Sequence, residues 1–504
     1  MSTLAAFLST LVVSVAGIYL LQPAAHHFGL IDRPGGRKQH IIHTPLIGGI
    51  TIGVSSLLFL FLFPFDVVTV GHTSRGALLV SLALILMIGI ADDYLGLGVR
   101  LRFLLHALVA LIMINWGGVL LSDLGCLLGP NLLELGVVAV PLTVFATLGT
   151  INALNMIDGV DGLAGVLTGV TVACVALLVF LVADMTLHFW IALGILGALT
   201  GFLIFNFPYR SRTHAVIFLG DAGSNLLGFL IAWLLIDLSQ GANPVITPVT
   251  ALWLFAVPLI DTVSVMVRRI WLKRSPFKAD RWHLHHLMID AGYRVRQVVL
   301  IMGAYQLIMA AIGTWMLWSG VKEVVAFSLF LSVFVGHMLF VSRPWRVVPL
   351  LRSLHRACNL TVAGSRSVFV GNISPERVES TVLALLGEEA YARGYVLYSY
   401  RAVITEEERV GAEIECWSVA DMHRLLKRLV RRASETEPLD IRQFVPRQSK
   451  NDRRGVNTVV VECRRKGCRR HSKVLSNHVA ELRYFRYPEI GRTSRSTLID
   501  HVSD

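Results

Sequence analysis

Long apolar runs separated by short polar ones dominate the first two thirds of the chain, and the rhythm changes near residue 345. Eleven runs approach the roughly 20 residues needed to cross a bilayer core. They lie at 4–21, 46–65, 76–91, 102–121, 135–151, 163–183, 189–206, 222–238, 246–268, 298–318 and 324–342. Backbone groups find no water in lipid, so such runs predict helices, which satisfy those groups internally. The first run lacks a basic leader and a small-residue cleavage site, which predicts a retained span rather than a signal peptide. The pattern predicts an all-α polytopic membrane protein with about eleven transmembrane helices.

Beyond residue 345 the apolar runs shrink to strand length, at 367–372, 395–400 and 458–461. Residues 422–432 instead place apolar and basic groups at helical spacing. This predicts a small α/β cytoplasmic C-terminal region. The expected division is a transmembrane domain over 1–345 and a basic extension over 346–504. The chemistry is expected to reside in the first, so that removing 351–504 leaves it intact.

Composition narrows the class. Of 504 residues, 54% are hydrophobic and only 16% charged, with mean hydropathy +0.63. A soluble domain carries about 25% charged residues, so a soluble enzyme, a disordered chain and a nucleic-acid module are poor fits. The net charge of +12 is uneven: 17 Lys and Arg against 15 Asp and Glu through Ser342, then 29 against 19. A basic excess attracts anionic lipid or nucleic acid. On a tail tethered to a bilayer it predicts the lipid surface and no nucleic acid, and it leaves a further partner for the extension unspecified. Six cysteines make no disulfide framework, and Cys463 and Cys468 lack a second pair at zinc spacing.

Lys and Arg also orient the spans. The loops 24–45, 92–101, 152–162, 207–221 and 269–297, with flanking Arg102 and Arg268, hold 15 basic residues, whereas the opposite loops hold Arg75 and Lys322. The first set is expected on the cytoplasmic side, with the N-terminus outside and the extension inside.

The polar groups in need of explanation lie in those same loops. Asp92 and Asp93 are adjacent carboxylates at a helix end, so they call for a cation; magnesium suits when a substrate carries phosphate, and a solvated cap is the plainer alternative. Residues 152–164 hold Asn152, Asn155, Asp158 and Asp161 with two glycines and no Lys or Arg. Their oxygens suit a hard cation or a nucleobase. Asp221 in Gly220-Asp221-Ala222-Gly223-Ser224-Asn225 reads as an N-cap, or as a metal carboxylate with helix N–H groups aimed at phosphate. The last loop carries Arg281, His283, His285 and His286. Their spacing is poor for zinc and fits a clamp on a diphosphate.

Taken together, Asp92-Asp93, residues 152–164, Gly220 to Ser224, Pro258-Leu259-Ile260-Asp261 and Asp280 to His286 resemble the polyprenyl-phosphate N-acetylhexosamine-1-phosphate transferases. Asp32-Arg33-Pro34, Arg37-Lys38 and Pro45 to Gly49 are similar to that family's first cytoplasmic loop. The likeness covers roughly 1–345, in order. The triple-histidine segment looks like the GlcNAc-type branch rather than the branch that transfers phospho-MurNAc-pentapeptide.

The resemblance implies transfer of a sugar 1-phosphate from a UDP-sugar, UDP-GlcNAc foremost, to undecaprenyl phosphate, with release of UMP. Another UDP-N-acetylhexosamine such as a FucNAc or QuiNAc donor, or UDP-MurNAc-pentapeptide, stays open. It further implies a bacterial inner-membrane enzyme that begins a lipid-linked surface glycan such as O-antigen, and it leaves a homodimer open. By the same resemblance, Asp221 and Asn155 would hold magnesium (or manganese) on the diphosphate. Asp92 would serve the lipid phosphate as base or orienter, with Asp93 in support. Asp158 would sit at the catalytic centre and Asp161, beside Asn152, would face the uracil. Arg281 and His283, with His285 and His286, would contact the diphosphate. Two rivals remain at this stage: a lipid or sugar transporter, and a body that merely anchors a functional tail. The polar set, gathered at one face rather than at mid-membrane, favours the enzyme.

Overall fold

Each of the eleven apolar runs holds a helix in the computed structural model. It describes residues 3–32, 44–62, 75–127, 129–183, 187–209, 215–276, 282–358, 367–373, 398–404, 410–416 and 440–444. In chain order the first half comprises α1 (Thr3–Phe28), β1 (Ile31–Asp32), β2 (Thr44–Pro45), α2 (Gly48–Leu62), α3 (Arg75–Leu95), α4 (Val99–Asn115), α5 (Ala139–Ile157) and α6 (Leu163–Ala183). There follow α7 (Leu187–Asn206), α8 (Gly220–Leu238), α9 (Pro248–Leu254), α10 (Ala256–Trp271), α11 (Leu284–Asp290), α12 (Val295–Trp318), α13 (Glu323–Val341) and α14 (Pro344–Ala357). Among the described residues, eight helices are long and apolar enough to cross a membrane, and α9 with α10 are so only as a pair, bent by 85° as a broken span or a re-entrant loop is. At 15 and 17 residues, α2 and α4 are shorter than a full straight span.

The bend has a local cause. Pro258, in the first turn of α10, brings no N–H, and its ring excludes the carbonyl four residues back. That carbonyl is Leu254 O, which accepts instead from Gln306 Nε2 at 2.6 Å and Thr171 Oγ1 at 2.8 Å. The freed Val257 N–H donates to Gln306 Oε1 at 2.9 Å. Buried Gln306 of α12 thus satisfies both sides of the break, as apolar surroundings require.

α8 is the axis of the helical unit. It is apolar nearly all round and every residue from Ala222 to Leu238 is buried, as expected of a helix enclosed on all sides. Small residues set its distance from its neighbours. A Cβ on Gly49 of α2 would come within 2.0 Å of the Gly223 backbone nitrogen, so nothing larger fits at that crossing. The short β1–β2 pair leads into the same crossing. Phe218 N donates to Pro45 O (2.9 Å), while Gly48 N and Gly49 N donate to Phe218 O and Leu219 O (3.0 and 2.9 Å). The start of α8 is therefore pinned to the start of α2.

The chain forms two compact units: residues 1–285 with 295–342, and residues 286–294 with 343–504. In the second, the Tyr293 hydroxyl donates to Leu351 O of α14 at 2.9 Å, and its ring stands edge-on to His355 with centroids 4.7 Å apart. That unit also holds an antiparallel sheet of β3 (Ser367–Ile373), β4 (Tyr398–Ile404), β5 (Val410–Cys416) and β6 (Asp440–Phe444), in the order β4-β5-β3-β6. β3 coincides with an expected strand and β4 overlaps another, shifted three residues on. β5 and β6 were not legible. The strand at 458–461, the helix at 422–432 and the Cys463/Cys468 pair lie outside the described residues.

Candidate active site

The carboxylate-bearing ends of α3, α5 and α8 meet at one place. Asp93 on the last turn of α3 accepts from the backbone N–H of Asp221 (2.8 Å) and Ala222 (3.0 Å). Those N–H groups open α8, where a carboxylate also complements the helix dipole. The expected cap is thus present but supplied by Asp93 from another helix. Asp221 does not cap α8, and these two N–H groups are engaged by Asp93 rather than aimed at a phosphate. Gly220 makes this approach feasible: its φ is +72°, and a Cβ there would lie 2.6 Å from Asp93 Oδ2.

With its backbone held in this way, the Asp221 side chain meets Asn155 of α5, whose Nδ2 donates to Asp221 Oδ1 and also to Ser224 Oγ at 3.1 Å. Asp158 follows directly at the end of α5. Burial, then the negative charges of Asp221, Asp161 and Asp93, push its carboxyl up to about 8. Asn155 Oδ1 and the carboxyl oxygens of Asp221 and Asp158 are hard donors carried by the ends of two packed helices, a donor set that suits a divalent cation of the magnesium type.

Asp92 has a different partner. It is 5% exposed and accepts from Arg102 Nη1 and from Leu97 N, both at 2.8 Å. Its compensating cation is therefore a residue of this chain. Arg102 lies in the first turn of α4, where the helix dipole disfavours a cation. That misfit was the sequence signal for a pairing. Beside it, Arg102, His106, Asn152, Asn155 and Asn225 line a small pocket between α4, α5 and α8. Asn152 turns its amide toward Met156 Sδ at 3.8 Å.

Asp161 accepts from Ala215 N at 3.0 Å, which ties the loop after α5 to the segment before α8. Buried Asn206 ties them again, accepting from Gly162 N at 2.7 Å and donating to Ile217 O at 2.8 Å. Asn206 escaped the sequence reading; a lone Asn closing an apolar run was the available hint.

The histidines gather around α10. Asp261, fully buried, accepts from His283 Nδ1 at 2.8 Å, Leu284 N at 3.0 Å and His337 Nε2 at 3.2 Å. His285 is also buried and its ring stacks on that of His283, with centroids 5.4 Å apart. His286, half-buried on α11, begins the second unit. The Arg268 guanidinium lies 3.7 Å from the centre of the Trp282 ring and anchors the chain just before His283. Thr262 Oγ1 donates to Ala153 O at 3.4 Å, joining α10 to the part of α5 that bears Asn152 and Asn155. Arg281 and Asp280 lie outside the described residues. His337 is the member that sequence reasoning missed; a single histidine in the last span was its signal.

Comparison with known proteins identifies the family. The model of the family described as "Glycosyl transferase family 4" matches residues 76–239. A protein of Haemophilus influenzae is 36% identical over 339 residues, covering 67% of this chain and 94% of its own length. One from Pasteurella multocida is 36% identical over 353 residues, covering 69% and 97%. One from Escherichia coli K12 is 33% identical over 349 residues, covering 69% and 93%. Each of the three is named an undecaprenyl-phosphate alpha-N-acetylglucosaminyl 1-phosphate transferase. The motifs met in order along the helices and the extent of these matches together place the chain in glycosyl transferase family 4.

Proposed function

We propose that this multi-pass membrane protein transfers N-acetylglucosamine 1-phosphate from UDP-GlcNAc to undecaprenyl phosphate and releases UMP. The observation that carries the reading is the junction of Asp93, Asn155, Asp158 and Asp221 at the meeting ends of α3, α5 and α8. It supports a reaction between two phosphate-bearing substrates, the chemistry named in the similar proteins. We assign it to the bacterial inner membrane, with these helix ends and the C-terminal extension cytoplasmic, an orientation that the Lys and Arg asymmetry supports.

In the reaction an oxygen of the lipid phosphate attacks the β-phosphorus of the nucleotide sugar. The bond from that phosphorus to UMP breaks, and UMP leaves with the electron pair. A lipid phosphate with a second pKa of about 6 is already largely ionised, so alignment matters more than a base. Asp92, already engaged by Arg102 and Leu97 N, suits the orienter of its two expected roles. It holds the guanidinium while the remaining N–H groups of Arg102 face an anionic headgroup.

Asp221 and Asn155 would hold magnesium, with Asp158 beside them. When bound, the ion neutralises charge on the diphosphate. Asp161, bonded to Ala215 N, keeps the loop shaped for the nucleotide, and His283 serves the diphosphate. By the family resemblance, Arg281, His285 and His286 would also contact the anionic diphosphate.

The test gives the purified protein undecaprenyl phosphate with either UDP-GlcNAc or UDP-MurNAc-pentapeptide. UMP release with the first in clear preference supports the reading. Preference for the second moves the protein to the other branch, and no UMP with either donor leaves the transporter standing.

A further inference from the structure

A fully buried carboxylate inside a membrane span is costly unless donors surround it, and Asp261 has three. Two of them are imidazoles from distant parts of the chain. His283 lies 22 residues on and gives Nδ1 at 2.8 Å; His337 lies 76 residues on, in α13, and gives Nε2 at 3.2 Å. The third, Leu284 N, can only donate. A carboxylate among such donors acts as acceptor, so each ring nitrogen facing it carries a proton. That leaves Nε2 as the second reactive atom of His283.

The three sites could also be read as ligands, since Asp261, His283 and His285 offer atoms within 4.8 Å of one another. Yet both Asp261 oxygens already accept hydrogen bonds, one of them from His283 Nδ1, so the carboxylate has its partners without an ion. The hydrogen-bonded arrangement is complete as it stands.

We infer that Asp261 is a positioning residue of the transfer reaction. It fixes the tautomer and ring plane of His283 so that Nε2 serves the diphosphate, while His337 fixes the rotamer of Asp261 from the last span. This rests on the transferase reading above and adds a supporting layer to it. The bend at Leu254–Val257 belongs to the same device, because it sets the direction of the helix that carries Asp261.

The test is a kinetic cycle on the full chain, reading UMP release from UDP-GlcNAc and undecaprenyl phosphate. Asp261→Asn should lower kcat about 10- to 100-fold, the range for partners that orient a functional histidine, with KM for UDP-GlcNAc little changed. In a His283→Ala background the same substitution should cost nothing more, because Asp261 acts through that ring. Should Asp261→Asn fold poorly, His337→Gln and His337→Phe serve instead. Glutamine keeps a donor and should retain most of the rate, whereas phenylalanine should lose it even at temperatures where its melting curve shows the protein fully folded.

An additional loss on top of His283→Ala, or equal effects of Gln and Phe, overturns the positioning role. So does one zinc ion bound per wild-type chain and lost from Asp261→Asn. A wild type that releases no UMP overturns the transferase reading itself. A wild type that does, with Asp261→Asn at full rate, overturns the positioning role alone.

Discussion

The carboxylate of Asp93 accepts the backbone N–H of Asp221 at 2.8 Å, although 128 residues separate them. One side chain therefore caps α8 and fixes the backbone of the residue proposed to hold the metal. Stability and chemistry should fail together when it is removed. Asp93→Ala should cost about 1 kcal/mol or more, the usual worth of a helix cap, and should lower transfer further than Asp93→Asn, whose remaining oxygen can still accept. Melting temperatures and rates measured on the three proteins should both rank Asp, Asn, Ala. A stable but inactive Asp93→Ala protein would separate the two roles.

The Asp92–Arg102 pair makes a sharper structural prediction. Asp92 is buried and its partner is only partly exposed, so removing the guanidinium strands a carboxylate. Arg102→Ala should destabilise the protein by about 2 kcal/mol or more, and Arg102→Lys by less, since lysine keeps the charge but not the fork. Thermal unfolding in one detergent checks the order. Equal midpoints for all three proteins would show the pair to be worth nothing.

At Asp221 the prediction concerns chemistry rather than folding. Its side chain meets Asn155 while its backbone is held by Asp93, so Asp221→Asn should leave the melting temperature nearly unchanged. Transfer should fall about 100-fold or more, as when a group stabilising transition-state charge is lost. Chelation of divalent cations should silence the wild type, and magnesium should restore it. Wild-type activity from Asp221→Asn across a magnesium titration would remove Asp221 from the metal site.

Truncation of the extension can be tried at two places, before and after α14. Val347, Val348, Leu351, Arg352 and His355 of α14 are buried, and Leu351 O accepts from Tyr293 on the segment that follows the histidine motif. A chain ending at Cys358 should keep its transfer activity. One ending at Leu350 loses that bond and part of the buried face, and should be less stable and less active. Equal activity of the two truncated chains would show that α14 is dispensable for transfer.

Much of this molecule was legible in its sequence because membrane helices follow from length and hydropathy alone. The break between α9 and α10 was not. A proline such as Pro258 can be accommodated or can redirect a span, and the outcome depends on Gln306 and Thr171, far away in sequence. The candidate site divided along the same line. Asp92, Asp93, Asn155, Asp158 and Asp221 stood out as polar groups at apolar helix ends. Which of them met was hidden: Asp93 with the start of α8, Asp92 with Arg102, Asp261 with His337. Such pairings are fixed by helix packing, which periodicity does not encode.

In the proposed reaction a sugar phosphate, rather than a sugar or an intact nucleotide, leaves its donor for a lipid. UDP-GlcNAc labelled on its β-phosphorus tests this most directly when incubated with the purified protein and undecaprenyl phosphate. The label should move into the lipid phase in a one-to-one ratio with unlabelled UMP in the aqueous phase. Label that stays in water as UDP, or that crosses a vesicle membrane still joined to its nucleotide, would contradict the account.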